Sequence, residues 1–379
     1  MLRSAASPRT PLEDDLTRLL ESHVPSARDC QLVRRVLGWD GQRGCGLKDA
    51  GDELGITRER ARQVYDRAVE RIRDSNPSPA LDAALSLVNR TCNREDEDVE
   101  AELQQRGLTR YRFPIRSLLK TAQIFGRVPE FTVEQAGGKM FVVARAGAVQ
   151  SIIKAALRSS ACRGIQSVSA LRSSLPPIHR RRSGCAFIRQ VLNTRRDIRW
   201  LDDSETTFWL ASVPRNPVVR CLKKVMCYAS PVDLSDIHRA IGRLPAKQRG
   251  TLSRGLLTKF CEQVPFCRVV NGSVERVGPL SAGKLISDAE NIVCGMLRRN
   301  GNQLPVRRLQ SLCASMGVQK PNLWRIMLHS PLIFRPAPRT YGVITASANS
   351  METIQRRPAV RATSRSAEDR VRLHCTQTP

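Results

Sequence analysis

The sequence predicts a mainly α protein, in which an N-terminal helix-turn-helix unit precedes about four copies of a larger helical unit. Residues 47–73 have the spacing of a short helix, a tight turn and a longer basic helix. Beyond residue 79, similar extended stretches recur about every 67 residues, each after three helical patterns. The chain of 379 residues is long enough for several domains with their own cores, and its formal net charge is +27.

The helix-turn-helix prediction depends on the residues between two apolar patterns. Leu47, Ala50 and Leu54 lie at helical spacing. Gly55 provides a helix stop, and Thr57 stands where an N-cap belongs, with its hydroxyl facing the free amides of the next turn. This order of signals is typical of a helix-turn-helix.

The second helix of the motif has a packed face and an exposed face when about 100° is taken per residue. The apolar arc, about 100° wide, contains Ala61, Val64, Tyr65, Ala68 and Ile72. A different arc contains Arg58, Glu59, Arg62 and Gln63. The helix is therefore predicted to pack by one edge and to present polar side chains outward from its first two turns.

The exposed side chains are of the types that read bases in duplex DNA. Arginine forms two hydrogen bonds to guanine, glutamine forms two to adenine, and a carboxylate accepts a hydrogen bond from cytosine N4. Glu59 is the informative residue, because a carboxylate weakens phosphate binding and makes sense at a DNA surface mainly as a base reader. The alternative is a solvated face with helical ion pairs, since Arg58 and Arg62 lie within a turn of Glu59.

Residues 28–73 resemble region 4 of the bacterial sigma-70 factors, the part that reads the minus-35 promoter element. The residues that carry the resemblance are Arg28-Asp29, Gly38-Trp39-Asp40-Gly41, Leu47, Glu53-Leu54-Gly55, Thr57-Arg58-Glu59-Arg60 and Arg62-Gln63. The resemblance implies base contacts from the side chains of Arg58, Glu59, Arg62 and Gln63. The full predicted DNA-binding set is Thr57, Arg58, Glu59, Arg60, Arg62, Gln63 and Arg67.

Four residues depart from the pattern of that family. Ala50 and Ala61 stand where the family usually has larger aliphatic residues, and Tyr65 and Asp66 stand where Glu-Ala is common. Ala50 and Ala61 are expected to reduce the apolar volume in the core of the motif and to leave its exposed face unchanged.

The charge of the chain predicts a polyanionic partner. Only 10 of the 62 basic residues are lysines, so most of the positive charge is carried by arginine. The guanidinium group of arginine forms bidentate hydrogen bonds to phosphate and guanine. Nucleic acid fits better than a membrane, because no amphipathic basic helix with an aromatic face and no apolar run of about 20 residues stands out. Together with the helix-turn-helix motif, this predicts double-stranded DNA as the partner. The first dozen residues lack the apolar core of a secretion signal, so a cytoplasmic, nucleoid-associated bacterial protein is predicted, with an organelle transit peptide as the alternative.

Neither a cofactor nor an enzyme activity is predicted. The 12 cysteines include no C-x-x-C pair, and Cys221/Cys227 and Cys261/Cys267 are each separated by five residues. Most cysteines lie in apolar helical patterns and are predicted to be small core residues in a reducing compartment. The five histidines share no motif with a nucleophile or a carboxylate pair, and no small-molecule substrate is predicted.

The run from Asp74 to Pro79 predicts a domain boundary, after which the four copies follow. Their extended stretches are 128–144, 195–211, 263–277 and 330–344, with Gly137-Gly138 and Asn271-Gly272 as primed turns. Three helices followed by a two-stranded wing is the winged-helix pattern, and the copies resemble winged-helix domains in general. The predicted domains are the helix-turn-helix unit at 12–74, copy 1 at 79–145, copy 2 at 146–213, copy 3 at 214–279, copy 4 at 284–345 and a disordered basic tail at 346–379.

An alignment of the copies predicts their core and surface positions. The first helices have Ile153, Leu222 and Ile292 at equivalent core positions. The third helices point inward with Leu118/Leu119, Val191/Leu192, Leu256/Leu257 and Met327/Leu328. The acidic run at 95–98 opposes an approach of copy 1 to DNA by that face. Basic runs near the third helices of copies 2 and 3 are His179-Arg180-Arg181-Arg182 and Lys247-Gln248-Arg249.

Two functions follow from these observations. The first is a sequence-specific DNA-binding protein that acts in transcription and reads a promoter-type element through residues 58–63. The resemblance brings RNA polymerase into consideration as a partner, but only 27 residues precede the motif, so an auxiliary regulator is expected rather than a complete sigma factor. The second function is an interaction scaffold in DNA repair, restriction or mobile-element biology that the helix-turn-helix unit tethers to DNA.

Overall fold

A computed structural model describes residues 10–75, 79–245, 252–280 and 285–347. The protein is 55% helix, with 17 helices in the described part and small three-stranded sheets. The mainly α class predicted from the sequence is confirmed. The predictions for the tail from residue 348 onward and for Lys247-Gln248-Arg249 concern residues outside the described ranges.

Four helices form the N-terminal unit: α1 (Leu12–His23), α2 (Ala27–Leu37), α3 (Leu47–Glu53) and α4 (Arg58–Arg73). Local capping fixes the ends of α2. The Ser26 side chain accepts a hydrogen bond from the amide of Asp29, and Gly38 ends the helix in the left-handed region at φ 71°. The buried stripe of this helix consists of Cys30, Leu32, Val33, Val36 and Leu37.

From residue 79 the chain repeats one order of elements four times: a helix, a short strand, two helices and a hairpin. The first helices are α5 (Pro79–Thr91), α8 (Ala148–Arg163), α12 (Pro217–Tyr228) and α15 (Asp288–Arg299). The second and third helices are α6 (Asp96–Gln105) and α7 (Ile115–Ile124), α9 (Val168–Ser174) and α11 (Cys185–Asn193), α13 (Leu234–Gly242) and α14 (Arg254–Gln263), and α16 (Val306–Ser315) and α17 (Lys320–His329). Copy 2 has an additional short helix, α10 (Pro177–Arg180), which the sequence pattern did not predict.

Each copy contains a three-stranded antiparallel sheet with its last strand in the middle. The hairpin strands are β2 (Thr132–Ala136) and β3 (Lys139–Val143), β5 (Ile198–Trp200) and β6 (Thr207–Leu210), β8 (Cys267–Val270) and β9 (Ser273–Arg276), and β11 (Ile333–Ala337) and β12 (Thr340–Val343). The outer strands are β1 (Arg94–Glu95), β4 (Ile165–Ser167), β7 (Val232–Asp233) and β10 (Gln303–Pro305). Because these outer strands have only two or three residues, they carry no readable alternation, and the sequence predicted the hairpins alone.

Both predicted primed turns are present at hairpin tips. Gly137 and Gly138 have φ values of 55° and 86°, and Asn271 and Gly272 have φ values of 49° and 76°. A type I′ turn requires positive φ at both central residues, which glycine and asparagine tolerate best. The two turns thereby set the register of β2 with β3 and of β8 with β9.

The N-terminal unit and copy 1 share one hydrophobic core, although the chain between them has the composition of a boundary. Leu12, Leu16 and Leu20 of α1 are fully buried in this core, where α1 packs on α4 and α5. The buried indole Nε1–H of Trp39 donates to Thr121 Oγ1 on α7 at 2.8 Å. Residues 76–78 of the predicted boundary lie outside the described residues, and the packing on its two sides is continuous.

A buried carboxylate anchors the start of α1 on copy 1. Glu13 is 3% exposed and accepts hydrogen bonds from the backbone amides of Arg110 and Tyr111. Burial raises the pKa of Glu13, and the amides partly offset this shift. Arg110 also pairs with Asp14 at 2.6 Å. The N-terminal unit is therefore joined to copy 1 by polar contacts as well as by apolar packing.

Copies 3 and 4 share a second continuous core and are joined by arginine side chains. The guanidinium carbon of Arg298 lies 3.8 Å from the ring centroid of Tyr228, and its Nη2 donates to the Tyr228 carbonyl at 2.8 Å. Arg239 of copy 3 lies over the Phe334 ring of copy 4 at 4.5 Å. The two copies therefore pack as one block.

Two of the predicted core residues of the first helices pack at the edge of the core rather than inside it. Ile153 and Ile292 are half-buried, and their neighbours Ile152 and Val293 are the buried residues. Leu222 is buried as predicted. Adjacent positions on a helix are about 100° apart, so Ile153 and Ile292 lie at the border of the buried stripe and contact the core from there.

One third-helix residue that was predicted to point inward lies on the surface. Leu328 is 57% exposed, because α17 turns Leu323, Ile326 and Met327 toward the core instead. Leu119 and Leu256 are half-buried. The members of the predicted pairs that are buried are Leu118, Val191, Leu192, Leu257 and Met327.

Candidate nucleic-acid interface

The turn between α3 and α4 is built by the residues that the sequence singled out. Gly55 has a φ of 64°, in the left-handed region that glycine tolerates at least cost. Thr57 has an extended backbone, and its side chain accepts a hydrogen bond from the amide of Arg60 at 3.2 Å. Because Thr57 is only an acceptor in this bond, its hydroxyl hydrogen can still be donated to a phosphate oxygen.

Gly51 sets the distance between the two helices, and the sequence analysis missed it. A Cβ at this position would lie 2.9 Å from the Ile56 carbonyl oxygen and 3.4 Å from the Ala61 Cβ. The Gly51 carbonyl also accepts from the Ile56 amide at 2.9 Å, which closes the turn. The signal available in the sequence was the position of Gly51 four residues after Leu47, on the same helical arc.

The packed face of α4 is the one predicted. Ala61, Val64, Ala68 and Ile72 are buried, and Tyr65 is half-buried. Ala61 and Val64 belong to a small core between α2, α3 and α4, whereas Ala68 and Ile72 belong to the core shared with copy 1. The C-terminal half of α4 thus packs on α1 in the core that the N-terminal unit shares with copy 1, and its first two turns keep a free face.

The predicted DNA-binding residues lie on that free face. Thr57, Arg58, Glu59, Arg60, Arg62 and Arg67 are exposed, and Gln63 is half-buried. The side chains of Glu59 and Arg62 keep 61% and 53% of their surface. The guanidinium groups of Arg58 and Arg67 form no hydrogen bond or ion pair with another described residue.

Arg62 is the centre of an ion-pair network on this face. Its Nε and Nη2 donate to the two Glu59 carboxylate oxygens at 3.2 and 2.8 Å, and its Nη1 donates to Asp66 Oδ2 at 2.9 Å. Arg60 Nη1 lies 3.5 Å from Gln63 Oε1. Ion pairs on this face, the alternative that the sequence left open, are therefore present in the free protein.

These contacts favour the charged forms of both partners. The hydrogen bond from Arg62 lowers the pKa of Glu59, and the hydrogen bond to Glu59, with the charges of Glu59 and Asp66, raises the pKa of Arg62. DNA would therefore meet a carboxylate that is bound to a guanidinium group, rather than an isolated negative charge.

Asp66 is the neighbour whose role the sequence analysis missed. It lies one turn after Arg62 and pairs with its guanidinium group at 2.9 Å. The four-residue spacing from an arginine was the available signal, because side chains at this spacing meet on a helix surface. As a second exposed carboxylate beside the free face, Asp66 also opposes phosphate binding.

The geometry leaves donors and acceptors for a base. Arg62 occupies one direction on each Glu59 oxygen, and a carboxylate oxygen can accept a second hydrogen bond, so Glu59 can still accept from a cytosine amino group. Arg62 uses three N–H groups in the network, and its remaining N–H groups are free for a guanine edge or a phosphate. The face can therefore contact bases without breaking the network.

Two arginines of α2 hold α3 in position. Arg35 donates from Nε and Nη2 to the Glu53 carboxylate, each at 2.9 Å. This pair raises the pKa of Arg35 and lowers that of Glu53. Arg28 donates to the Leu54 carbonyl at the end of α3. The structural role of these residues is thus to orient α3, on which α4 rests.

The acidic run of copy 1 forms contacts inside the protein. Glu95 pairs with Lys139 of β3 at 2.9 Å, and Asp98 accepts from Gln190 of copy 2 at 2.9 Å. Of the four acidic residues, Glu97 alone is exposed. Most of this acidic surface is therefore occupied by intramolecular partners.

Glu100 lines a cavity of about 550 Å³ between the N-terminal unit and copy 1. It is half-buried, and its Oε1 accepts from the Ile115 amide at the start of α7 at 3.1 Å. Burial raises the pKa of Glu100 to about 7, and the amide hydrogen bond partly opposes this shift.

The basic run of copy 2 covers the end of α10 and the two residues after it. Arg180, Arg181 and Arg182 are exposed. Arg180 donates to the Ser173 carbonyl at 3.2 Å, and the Arg182 carbonyl accepts from Asn93 of copy 1 at 2.9 Å. The backbone of this segment therefore packs on copy 1, while its arginine side chains remain exposed.

The histidine, cysteine and acidic side chains of the described ranges are the residues that could act as ligands of a metal ion. No group of three or more His, Cys, Asp and Glu side chains there is arranged to hold a metal ion. Cys162 and Cys185 are exposed, and the buried cysteines are Cys30, Cys221, Cys261, Cys267, Cys294 and Cys313. His238 is exposed, with Nε2 2.8 Å from the Leu252 carbonyl. The helices of the described part are all too short or too polar to cross a membrane.

Comparison with known proteins adds no assignment to this geometry. No family model and no curated protein matches the chain. The case for a nucleic-acid interface therefore depends on the residues and contacts of α3 and α4 themselves.

Proposed function

We propose that the protein binds duplex DNA sequence-specifically and acts in transcription, reading a promoter-type element through the start of α4. The observation that carries this proposal is the exposed polar row at residues 58–63, on a capped helix whose opposite face is buried. Arginine, glutamine and glutamate side chains together can discriminate all four base pairs in a major groove.

The likeness of residues 28–73 to sigma-70 region 4 gives this proposal its biological setting. Two contacts within the motif support it, because Arg28 and the Arg35–Glu53 pair brace α3 beneath the exposed helix. In this setting the protein is an auxiliary regulator at the nucleoid of a bacterial cytoplasm, and RNA polymerase is a partner. Retention of purified RNA polymerase by the immobilised full-length protein tests that partnership.

We interpret the four copies as tandem winged-helix domains. The support is the recurring order of helix, strand, two helices and hairpin, with one strand arrangement in all four sheets. Because copy 1 shares its core with α1 and α4, the array holds the DNA-reading helix in a fixed orientation.

A randomised-site selection with Glu59→Gln tests base reading. If Glu59 accepts from a cytosine, the amide can still accept but also donates, so discrimination at one base pair should fall by roughly ten- to a hundred-fold. Preference at the other positions should stay unchanged. The matched control is Glu70→Gln, which removes the same charge from an exposed residue about 16 Å further along α4.

The two variants separate specific from non-specific effects. Glu70→Gln should leave the selected motif unchanged. If Glu59→Gln also selected the wild-type motif and changed only overall affinity, the base-reading role of Glu59 would be refuted.

The second candidate function is a DNA-tethered interaction scaffold in DNA repair, restriction or mobile-element biology. It is favoured by an exposed apolar pair on α17, where Trp324 and Leu328 lie one turn apart and are 39% and 57% exposed. Binding to all DNA sequences with equal affinity, together with no retention of RNA polymerase, would support the scaffold and exclude the first function.

A further inference from the structure

A cleft at the junction of copies 3 and 4 is lined by basic side chains, none of which belongs to the helix-turn-helix unit. Its volume is about 730 Å³, and it extends from the start of α12 to the C-terminal half of α17. Its charged lining residues in the described ranges are Arg215, Arg220, Lys224 and Arg325, with His329 beside them and no carboxylate. The volume lies in the range of small-molecule sites.

The side chains of three of these cations have no partner in the described part of the chain. Arg215, Arg220 and Arg325 are exposed, and their guanidinium groups form no hydrogen bond or ion pair with another described residue. Three positive charges that face one cleft repel each other, and this repulsion favours a ligand with two or more negative charges.

Lys224, by contrast, is already neutralised. Its Nζ lies 2.5 Å from Oε2 of Glu290, a residue that is 4% exposed and that also accepts from the Ser330 hydroxyl. Of this network, Lys224 is the residue that lines the cleft. The three arginines are thus the charge that remains for a ligand.

A half-buried arginine, Arg243, fixes the two walls of the cleft relative to each other. Arg243, the residue after the end of α13, donates to the Ser330 carbonyl at 2.9 Å and to the Met327 carbonyl. Both carbonyls lie at the C-terminal end of α17, the helix that supplies Arg325. Copy 3 therefore holds the wall that copy 4 contributes, and a cleft with fixed walls binds a ligand at a lower entropic cost.

The rest of the lining is mainly apolar. It includes Pro217, Leu244, Pro245, Leu285 and Pro331. An apolar floor beside three unpaired guanidinium groups suits a ligand with a flat ring system and phosphate groups. Duplex DNA presents its phosphates on a convex surface, whereas these arginines line a concave one.

We propose that this cleft binds a free nucleotide, whose phosphates are held by Arg215, Arg220 and Arg325. The cleft contains no residue of the helix-turn-helix unit, so this inference stands or falls independently of the proposed DNA reading. A single-stranded nucleic acid offers the same phosphate chemistry, and the experiment must separate the two sources.

Titration of the full-length protein with a fluorescent N-methylanthraniloyl ATP tests the proposal. Binding should saturate, and Arg220→Ala or Arg325→Ala should each weaken it by about ten-fold or more, because each removes a charge-assisted hydrogen bond to phosphate. The matched control is Arg308→Ala, an exposed arginine of α16 in copy 4 that does not line the cleft. Unchanged melting temperatures would show that the variants fold.

Competition identifies the source of the phosphate. Unlabelled ATP should displace the probe at a lower phosphate concentration than a short single-stranded oligonucleotide does, and the reverse order would overturn the proposal in favour of a nucleic-acid strand. The proposal also fails if binding does not saturate, or if all four proteins bind the probe equally, since the net charge alone would then explain the attraction.

Discussion

The hydrogen bond between Trp39 and Thr121 offers the sharpest test of how the N-terminal unit that contains α4 is held on copy 1. Both side chains are buried, at 1% and 0% exposure, and the bond joins the N-terminal unit to α7 of copy 1. Thr121→Val nearly conserves volume but removes the acceptor. A buried N–H without a partner costs about 1–3 kcal/mol, so the opening equilibrium of any unit that contains this contact should rise about 5- to 150-fold.

Amide hydrogen exchange read by mass spectrometry measures that equilibrium segment by segment. If the shared core makes one cooperative unit, protection should fall by the same factor in α2, in the C-terminal half of α4 and in α5 and α7. Copies 3 and 4, which have a separate core, should keep their protection.

Thr258→Val is the matched control for this substitution. Thr258 is also a helical threonine whose hydroxyl donates to the carbonyl four residues earlier, as Thr121 donates to Ser117, but no indole donates to it. The control should change exchange only near its own turn of α14. A loss of protection confined to α7 in Thr121→Val, with α2 unchanged, would refute the coupling of the N-terminal unit to copy 1.

Three further predictions concern charge and burial. Asp66→Ala should tighten binding to all DNA sequences and steepen the salt dependence of log K by about 0.9, because it frees Arg62 for a phosphate; fluorescence anisotropy over a salt series measures both. The pKa of Glu100 is about 7 in the folded protein against an ordinary value of 4.5, so the folded state binds a proton more tightly than the unfolded state does. The contribution of Glu100 to the free energy of unfolding is therefore fully present below pH 4.5 and is lost as the pH rises through 7. Melting curves of Glu100→Gln over this range should therefore lack that fall. Iodoacetamide should modify Cys162 and Cys185 in the native protein and leave the buried cysteines, as peptide mass spectrometry would show.

Local signals predicted the motif around α4 well, because the ends of its helices and its turn are determined by neighbouring residues. Thr57 caps the helix and Gly55 turns the chain through backbone effects that span only a few positions. The faces of α4 followed from helical geometry alone, and the hairpin turns followed from Gly137-Gly138 and Asn271-Gly272.

The features that the sequence did not predict depend on contacts between distant residues. Trp39 and Thr121 are far apart in the chain, and nothing local indicates that they meet. The outer strands exist because a central hairpin strand is available to pair with, not because two or three residues prefer to be extended. Leu328 is exposed because the packing of copy 4 selects a different stripe of α17, which an alignment of diverged copies cannot resolve.

The two carboxylates beside Arg62 bear on how such a basic protein could select a site at all. A net charge of +27 favours binding to any DNA, and a chromosome offers a very large number of competing sites. On the proposed function, Glu59 and Asp66 would place negative charge on the face of α4 that meets DNA, which would weaken phosphate binding on every sequence alike. Only a site whose base edges can accept from Arg62 and donate to Glu59 compensates for that loss. On the proposed function, the network would therefore lower affinity in general while raising the ratio of specific to non-specific binding, and this ratio, rather than affinity, determines which site is occupied.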